Sequence, residues 1–495
     1  MDSPVQIPFK SFVRINSSDK TAVYLQIVFE FIKAIQLGLL PEGTKLPGTR
    51  ALCKVLSVNR NTLIKSFQEL ESQGFVEIKP NKGVFILSDQ KENSKNIVSS
   101  SITKNGVEKS SGINFKRSSL LENPTETSDL NLQFNDGLPD GRLAQSDVLA
   151  RLYVSELKGK NHNNVPAKQI AGTNYEFKKQ ISNFLNLTRN LKIAASNLLT
   201  TTSHEVSLYL LFKMLIAPGD KVVVGMPGYY LTNMTIADSG ADIITVQVDD
   251  DGIDTSHLRR ICQEQAIRIL YLTSVYHYPT TVSLTAKRRI EILELATEYG
   301  FIIIEDDYEF DLHFDNNPIL PLAAMDSEKQ VIYVGSLGRS LPVGFGYGFV
   351  SAPEALIQEL EKHKNILEPG IDLVKEQVLT AWINEGEIHR LLKKNKKIYK
   401  ERRTHFEQLL NDKFKAEIKF KIPVRGLAFW VEWIKAPNLF KLKKKCEELG
   451  LFLPKTILYQ TKDITATRLG FGGLEKQEME DSLTILKQSL EFLNA

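Results

Sequence analysis

Between residues 220 and 337, short apolar runs recur with longer amphipathic stretches between them, and few folds accept that pattern. The runs are DKVVVG, ADIITVQV, IRILYLTS, FIIIED and QVIYVGS, and the intervening LTAKRRIEILELATEYG has helical periodicity. Apolar runs of this length fit strands buried on both faces, and strands joined through helices run parallel. The expected fold class is therefore α/β, a mostly parallel sheet with helices on both faces. From about residue 370 the pattern becomes more helical and then mixed, with KAEIKFKI and GLAFWVEW as antiparallel strands of a smaller α+β lobe.

Ahead of this block, residues 21–87 are dense with periodic apolar positions, whereas residues 88–128 are rich in Ser, Asn, Lys and Glu, which marks a linker. The 495 residues thus divide into an expected amino-terminal domain over 1–88, a flexible linker over 89–128 and a large domain over 129–495 whose small lobe begins near 370. No apolar run is long enough to span a bilayer, and the first 20 residues lack the apolar stretch of a secretory signal, so a cytoplasmic protein without a membrane partner is expected. Cys53, Cys262 and Cys446 are far apart and odd in number, which suggests free thiols rather than a disulfide framework or a zinc cluster. A net charge of +3 does not by itself argue for nucleic acid, so any such reading must rest on local pattern.

That pattern is present near the amino terminus. Val23, Ile27, Phe31, Ile32 and Ile35 share one helical face, and Pro-Glu-Gly-Thr follows as a stop. A short helix opened by Thr49 and a second beginning at Arg60, separated by Ser57-Val58-Asn59, make a helix-turn-helix. The second helix places Arg60, Asn61, Thr62 and Lys65 near its amino end and keeps Leu63, Phe67 and Leu70 for the core, the division a recognition helix needs. FVEIKPNKGVFIL then supplies a two-stranded wing whose turn exposes Lys82 ahead of Gly83. On periodicity alone, a small helical dimerisation module is the competing reading.

Over residues 21–87 the run of Leu-Pro, Gly-Thr, Leu-Pro, Arg50, Arg60-Asn61-Thr62 and Gly83 resembles the DNA-binding domain of the GntR family almost position by position. The resemblance implies a double-stranded DNA operator as partner. It gives Arg50 and the residues opening the recognition helix, Arg60, Asn61 and Thr62, contacts with that DNA. Arg50, Lys65 and Lys82 suit phosphate contacts, while Arg60 or Asn61 could read base edges.

From residue 130 onward several segments resemble fold-type I aminotransferases, and joined to a GntR-like head the chain resembles the MocR subfamily of bacterial regulators. APGDKVVVGMPGYY matches the loop that supplies a ring-stacking aromatic, which makes Tyr229 the candidate. FIIIEDDYEFDLHF holds the family's Glu-Asp-Asp-Tyr, so the resemblance puts Asp306 on the pyridine nitrogen of pyridoxal phosphate and Tyr308 on its ring oxygen. In TRLGFGGL, Arg468 inherits the grip on a substrate carboxylate. The resemblance also implies a homodimer with its clefts at the subunit interface.

The chemistry of that cofactor needs a lysine amine, which the family presents as Ser-x-x-Lys after a strand. Here the segment reads VIYVGSLGRSLPVGFGYG, and Arg339 occupies the lysine position. A guanidinium that stays protonated above a pH of about 12 cannot form the imine or shuttle its proton. Arg339 is expected instead to bind an anion such as a ligand carboxylate, or to act as a plug paired with Asp306. Other departures surround it. The family segment after the lysine is about two residues longer and carries a phosphate-binding arginine, whereas LPVGFGYG has no basic residue. Where relatives cradle the phosphate in a small glycine-containing loop, this chain has Ser203, His204 and Glu205. Ala167 stands near the family's cross-dimer tyrosine, and His277 and Thr281 replace a glutamine and a glycine.

Each residue also has a plainer reading. Asp306 and Tyr308 can persist as hydrogen-bonded parts of the fold, Arg468 can form an internal salt bridge, and Tyr229, Tyr276 and Tyr278 can simply pack. His204 and His277, without a placed carboxylate or thiolate, do not make a metal site, and Lys455 matches no known arrangement for a replacement amine. Three functions are compatible with these residues. The first is a DNA-binding regulator whose large domain dimerises and senses an amino acid or carboxylate without covalent pyridoxal phosphate, the cofactor binding at most non-covalently. The second is an aminotransferase, or a regulator responsive to the cofactor, with a DNA-binding appendage. The third is an architectural, ligand-independent repressor.

Overall fold

In the computed structural model the described residues are 22–36, 43–72, 75–79, 82–87, 125–159, 167–314, 319–342, 344–370, 372–461 and 464–494, with a few isolated positions besides. Most of the expected linker, residues 89–120 and 122–124, lies outside them, as do Pro80, Asn81 and the side chain of Ala167. The chain forms two compact units, residues 1–124 with 460–463 and residues 125–459 with 464–495.

In the first unit, helix α1 (Val23–Gln36) buries Ile27, Val28, Phe31 and Ile32 against α2 (Thr49–Leu56) and α3 (Arg60–Ser72), which contribute Leu52, Leu56, Leu63, Phe67 and Leu70. Val23 and Ile35, at the edge of the α1 face, are only half-buried. Ser57 ends α2 in the left-handed conformation, with a φ of 56°, and so frees the chain to restart three residues later at Arg60. The Ser66 hydroxyl, buried on α3, donates to the Tyr24 carbonyl of α1 at 3.0 Å, which fixes the angle between the two helices. Strands β1 (Val76–Lys79) and β2 (Gly83–Ile86) pair antiparallel, and residues 44–46 join as a third strand through Leu46 to Val84 and Ile86 to Thr44. This is a winged helix-turn-helix.

In the second unit an eight-stranded sheet comprises β3 (Leu198–Thr201), β4 (Lys221–Met226), β5 (Asp242–Asp249), β6 (Gly252–Ile253), β7 (Ile269–Leu272), β8 (Ile302–Asp307), β9 (Val331–Leu337) and β10 (Tyr347–Ser351). Their order is β3-β10-β9-β8-β7-β4-β5-β6. Neighbours from β9 through β8, β7 and β4 to β5 run parallel, while β10 lies antiparallel to both of its neighbours. Side chains alternate between faces along each strand. Val222, Val224, Ile269, Tyr271 and Ile304 enter one apolar layer, whereas Val223, Leu270, Leu272 and Ile303 enter the other. Both faces are therefore apolar, which is why the strands read as near-continuous hydrophobic runs.

Helix α4 (Ala167–Arg189) packs beyond the antiparallel edge, α5 (His204–Leu215) covers the first face and α6 (Ala286–Tyr299) the second. A smaller lobe carries β11 (Ile418–Phe420), β12 (Ala428–Trp433), β13 (Leu458–Gln460) and β14 (Thr465–Gly470) in the order β11-β12-β14-β13. Helices α7 (Glu387–Phe414) and α8 (Lys476–Asn494) bury Tyr399, Phe406, Leu410, Leu483 and Leu486 against it. Among the described residues no helix is long and apolar enough to cross a membrane, no group of His, Cys, Asp and Glu could hold a metal ion, and the three cysteines are free.

Candidate functional site

The carboxyl ends of β7 and β8 and the start of α5 open onto a cavity of about 670 Å³. Strand alternation explains its deepest group. Glu305 and Asp307 turn away from Asp306: Glu305 takes the backbone amides of Leu322 and Ala323, and Asp307 pairs with buried Arg189 and accepts from the Tyr333 hydroxyl. Asp306 lies on the same face as Ile304, beneath α5. One of its oxygens, Oδ2, meets His204 Nε2 at 3.0 Å and the Tyr271 hydroxyl at 2.6 Å, while Oδ1 is buried with no hydrogen-bond partner. Burial pushes the His204 pKa down, but the adjacent Asp306 carboxylate outweighs it and holds the imidazole above its ordinary value. The Tyr308 hydroxyl is also buried without a partner.

Arg339 lines the same cavity, but it does not pair with Asp306 as the plug reading expects. Its Nη1 donates to Glu309 at 2.7 Å and to the Gly137 carbonyl at 3.1 Å, and the guanidinium lies 5.1 Å from the centre of the Tyr308 ring. Glu309 is the nearer carboxylate because the chain turns after β8 and swings it towards the segment following β9. Burial pushes the Glu309 carboxyl up to about 7 despite the pull of Arg339. Burial also opposes charge on Arg339, yet Glu309 and Asp136 keep the guanidinium above even its ordinary value.

Arg468 is fully buried on β14, and its donors are taken up internally. Nε donates to the Asp136 carbonyl at 2.8 Å, Nη1 to the Pro279 carbonyl at 2.7 Å and Nη2 to the Tyr276 hydroxyl at 3.3 Å. Its partners are backbone carbonyls and a phenol, not a carboxylate, so the internal salt bridge weighed for it is not what forms. Tyr229 lines the cavity, with Tyr278 edge-on at a centroid distance of 4.8 Å, and burial pushes its phenol up. His277 also lines it; burial and the charge of Arg468 depress its pKa to about 3. Thr281 adopts a left-handed φ of 64°, a conformation that glycine takes without strain.

The start of α5 has been rebuilt. Ser203 caps the helix, its hydroxyl accepting from the Val206 amide at 3.3 Å. The Thr202 amide and hydroxyl both donate to Glu368, and Glu205 faces the cavity. No lysine lines the cavity among the described residues, and Lys455 is ion-paired with Glu126 at 3.4 Å. Sequence reasoning missed Glu309, Asp136, Tyr271 and Glu368: Glu309 lies in the motif segment beside Tyr308 but its partner Arg339 is 30 residues on, and the others reach the site from separate segments.

In the first unit Arg50, Arg60, Asn61, Lys65, Lys82 and Gly83 are exposed and Thr62 is half-buried. The Lys65 ammonium rests 3.9 Å from the Tyr24 ring centre, and Gly83 has a φ of 115° at the wing turn.

Residues 132–468 match the family model described as aminotransferase class I and II. The chain belongs to that family. Residues 23–86 match the model for bacterial regulatory proteins of the gntR family, so a GntR helix-turn-helix precedes the aminotransferase domain. The chain is 24% identical over 96% of its length to 97% of an uncharacterized HTH-type transcriptional regulator, YdfD, of Bacillus subtilis. It is 23% identical to the probable rhizopine catabolism regulatory protein MocR of Rhizobium meliloti, covering 94% of each. The large domain superposes on a kynurenine aminotransferase of Pyrococcus horikoshii with a TM-score of 0.65 at 21% identity, covering 74% of this chain and 92% of that one. A GntR helix-turn-helix implies DNA binding, and the aminotransferase fold implies a dimer and, in the family, pyridoxal phosphate.

The residues present fit that cofactor at one end only. The unpartnered Asp306 Oδ1 and Tyr308 hydroxyl suit a protonated pyridine ring with its oxygen. At the other end, Thr202 and the Val206 amide already serve Glu368 and the helix cap, Glu205 adds negative charge, and the one arginine lining the cavity among the described residues is held by Glu309. The ring end matches that cofactor, and the phosphate end is the poorer match on charge and on the donors already engaged.

Proposed function

We propose that this protein is a cytoplasmic, homodimeric transcription regulator whose aminotransferase-like domain senses a small molecule and forms no covalent link to pyridoxal phosphate. The reading rests on one observation above all: the place of the imine-forming lysine holds Arg339, bound to Glu309, in a cavity that no lysine lines among the described residues. Arg60 and Asn61 read base edges, Thr62 supports them, and Arg50, Lys65 and Lys82 contact phosphates, with Gly83 letting the wing backbone approach closely. The effector binds in the cavity between Asp306, Tyr308, Tyr229 and the Ser203–His204 turn, and its different affinity for two dimer arrangements drives the switch. Of the amino acids and carboxylates expected as effectors, a simple carboxylate is the less favoured, because Arg468 is occupied within the fold and Arg339 already faces Glu309 through Nη1.

Footprinting of the purified full chain at moderate salt tests the regulatory reading. Sequence-selective protection is the expected result, and its absence contradicts the reading. An operator affinity that no cavity ligand shifts would favour the architectural repressor.

A further inference from the structure

The cavity differs from a phosphate or carboxylate receptor in the sign of its charge. Its lining includes the carboxylates Asp136, Glu205 and Asp306, together with Asp140. Asp140 is neutralised by Arg142 at 2.8 Å and Arg402 at 2.8 Å. The lining Arg339 is hydrogen-bonded to Glu309 through Nη1. Asp306 shares one oxygen with His204, but its other oxygen is buried and unpartnered at the cavity wall, on a residue only 3% exposed. No hydrogen bond or ion pair joins the Asp136 or Glu205 carboxylate to a basic side chain among the described residues. Among the lining side chains, carboxylates therefore outnumber bases, Asp136, Glu205 and Asp306 standing against Arg339 and His204, with Arg468 behind Tyr278 as a further positive charge.

Several tyrosines stand among the other lining residues, with Arg339 5.1 Å from the Tyr308 ring centre and Arg468 4.6 Å from that of Tyr278. Tyr229 and Tyr278 meet edge-on at 4.8 Å, Tyr278 and Tyr308 at 6.2 Å, and Tyr271 stands beside Asp306. Ring faces attract cations, most strongly when these are desolvated, and repel anions. Burial first, then Tyr230 and Asp136, raise the Tyr229 phenol above its ordinary range against the opposing charge of Arg339.

We propose that this cavity is a receptor for a small organic cation, an ammonium carried on an apolar or aromatic body. Asp306 Oδ1 accepts an N–H of the cation, the tyrosine rings flank its body, and Asp136 and Glu205 supply the attracting field. Phosphorylated and simple carboxylate ligands are excluded by the same charges. The inference rests on the sensing function proposed above and names its ligand class.

Binding is measured by calorimetry and thermal shift on the full chain without DNA, so the outcome does not depend on the operator. The probes are 2-phenylethylamine, benzylamine and putrescine, compared with the neutral 2-phenylethanol, the acid 3-phenylpropionate and pyridoxal phosphate. At least one amine should bind at least about tenfold more tightly than the alcohol, the acid and the phosphate, the margin expected of one facing charge at intermediate dielectric. Asp136→Asn and Glu205→Gln, at an unchanged melting temperature without ligand, should each reduce amine affinity several-fold and leave the alcohol unaffected. The wild-type comparison of amine with acid decides the matter even if a variant fails to fold. Failure of all three amines to bind at millimolar concentration, or acid or phosphate binding as tight as amine binding, overturns the inference while leaving selective DNA protection intact. An amine that binds but does not alter DNA affinity overturns the sensing role and leaves the receptor standing.

Discussion

Replacing Arg339 with alanine should destabilise the large domain by an amount that grows with pH. Glu309, with its side chain 1% exposed, holds a folded pKa of about 7 beside the guanidinium, against 4.5 in the unfolded chain. Between those values the folded state binds the extra proton, so stability falls as pH rises; above about 7 the wild-type carboxyl is ionised and the fall stops. Without Arg339 the buried carboxyl has lost its counter-charge and stays protonated to higher pH, so the fall continues. The linkage slope of about 1.4 kcal/mol per pH unit then separates variant from wild type by about 2 kcal/mol between pH 7 and 8.5. Below pH 6 only the lost hydrogen bonds and the space vacated by the side chain remain. Urea unfolding of both proteins from pH 5.5 to 8.5 measures the difference, and adding Glu309→Gln to the variant should remove its pH dependence. A penalty that stays flat or shrinks as pH rises would refute the reasoning.

Four further outcomes follow from other parts of the molecule. His277, with its folded pKa depressed to about 3, resists protonation that the unfolded chain accepts below 6.5, so it withdraws stability as pH falls through that window. His277→Gln should therefore lessen the loss between pH 7 and 5 by about 2 kcal/mol, measured by unfolding at the two values. Lys82→Ala should weaken DNA binding nearly uniformly across sequences and reduce the slope of log affinity against log salt by about 1, whereas Arg60→Ala should relax selectivity at one operator position. Ser57→Gly should preserve or slightly raise the stability of the first unit, because the residue already sits at a φ of 56°, and its melting temperature tests this.

The parts of this structure legible in the sequence are those set by local period. The middle of β4, β7, the first half of β8 and most of β9 are buried on both faces and therefore apolar, and α3 must divide its faces between Leu63, Phe67 and Leu70 and an exposed amino end. What the sequence could not disclose was competition for donors. Arg468 keeps the residue type of a carboxylate ligand, yet two backbone carbonyls and a phenol, all of them 189 or more residues away in the chain, occupy its guanidinium. Glu368 reaches Thr202 across 166 residues, and Glu309 rather than Asp306 takes Arg339 because of how the chain turns after β8. Such partnerships depend on distances between segments, which no motif records.

The central claim concerns the missing amine, and a single labelling experiment addresses it most directly. The full chain is incubated with pyridoxal phosphate, reduced with borohydride, freed of excess reagent and mapped by peptide mass spectrometry. The expected result is no stoichiometric phosphopyridoxyl adduct on any one lysine and no retained aldimine colour. One lysine labelled in a one-to-one ratio with the chain, and protected from exchange, would contradict it.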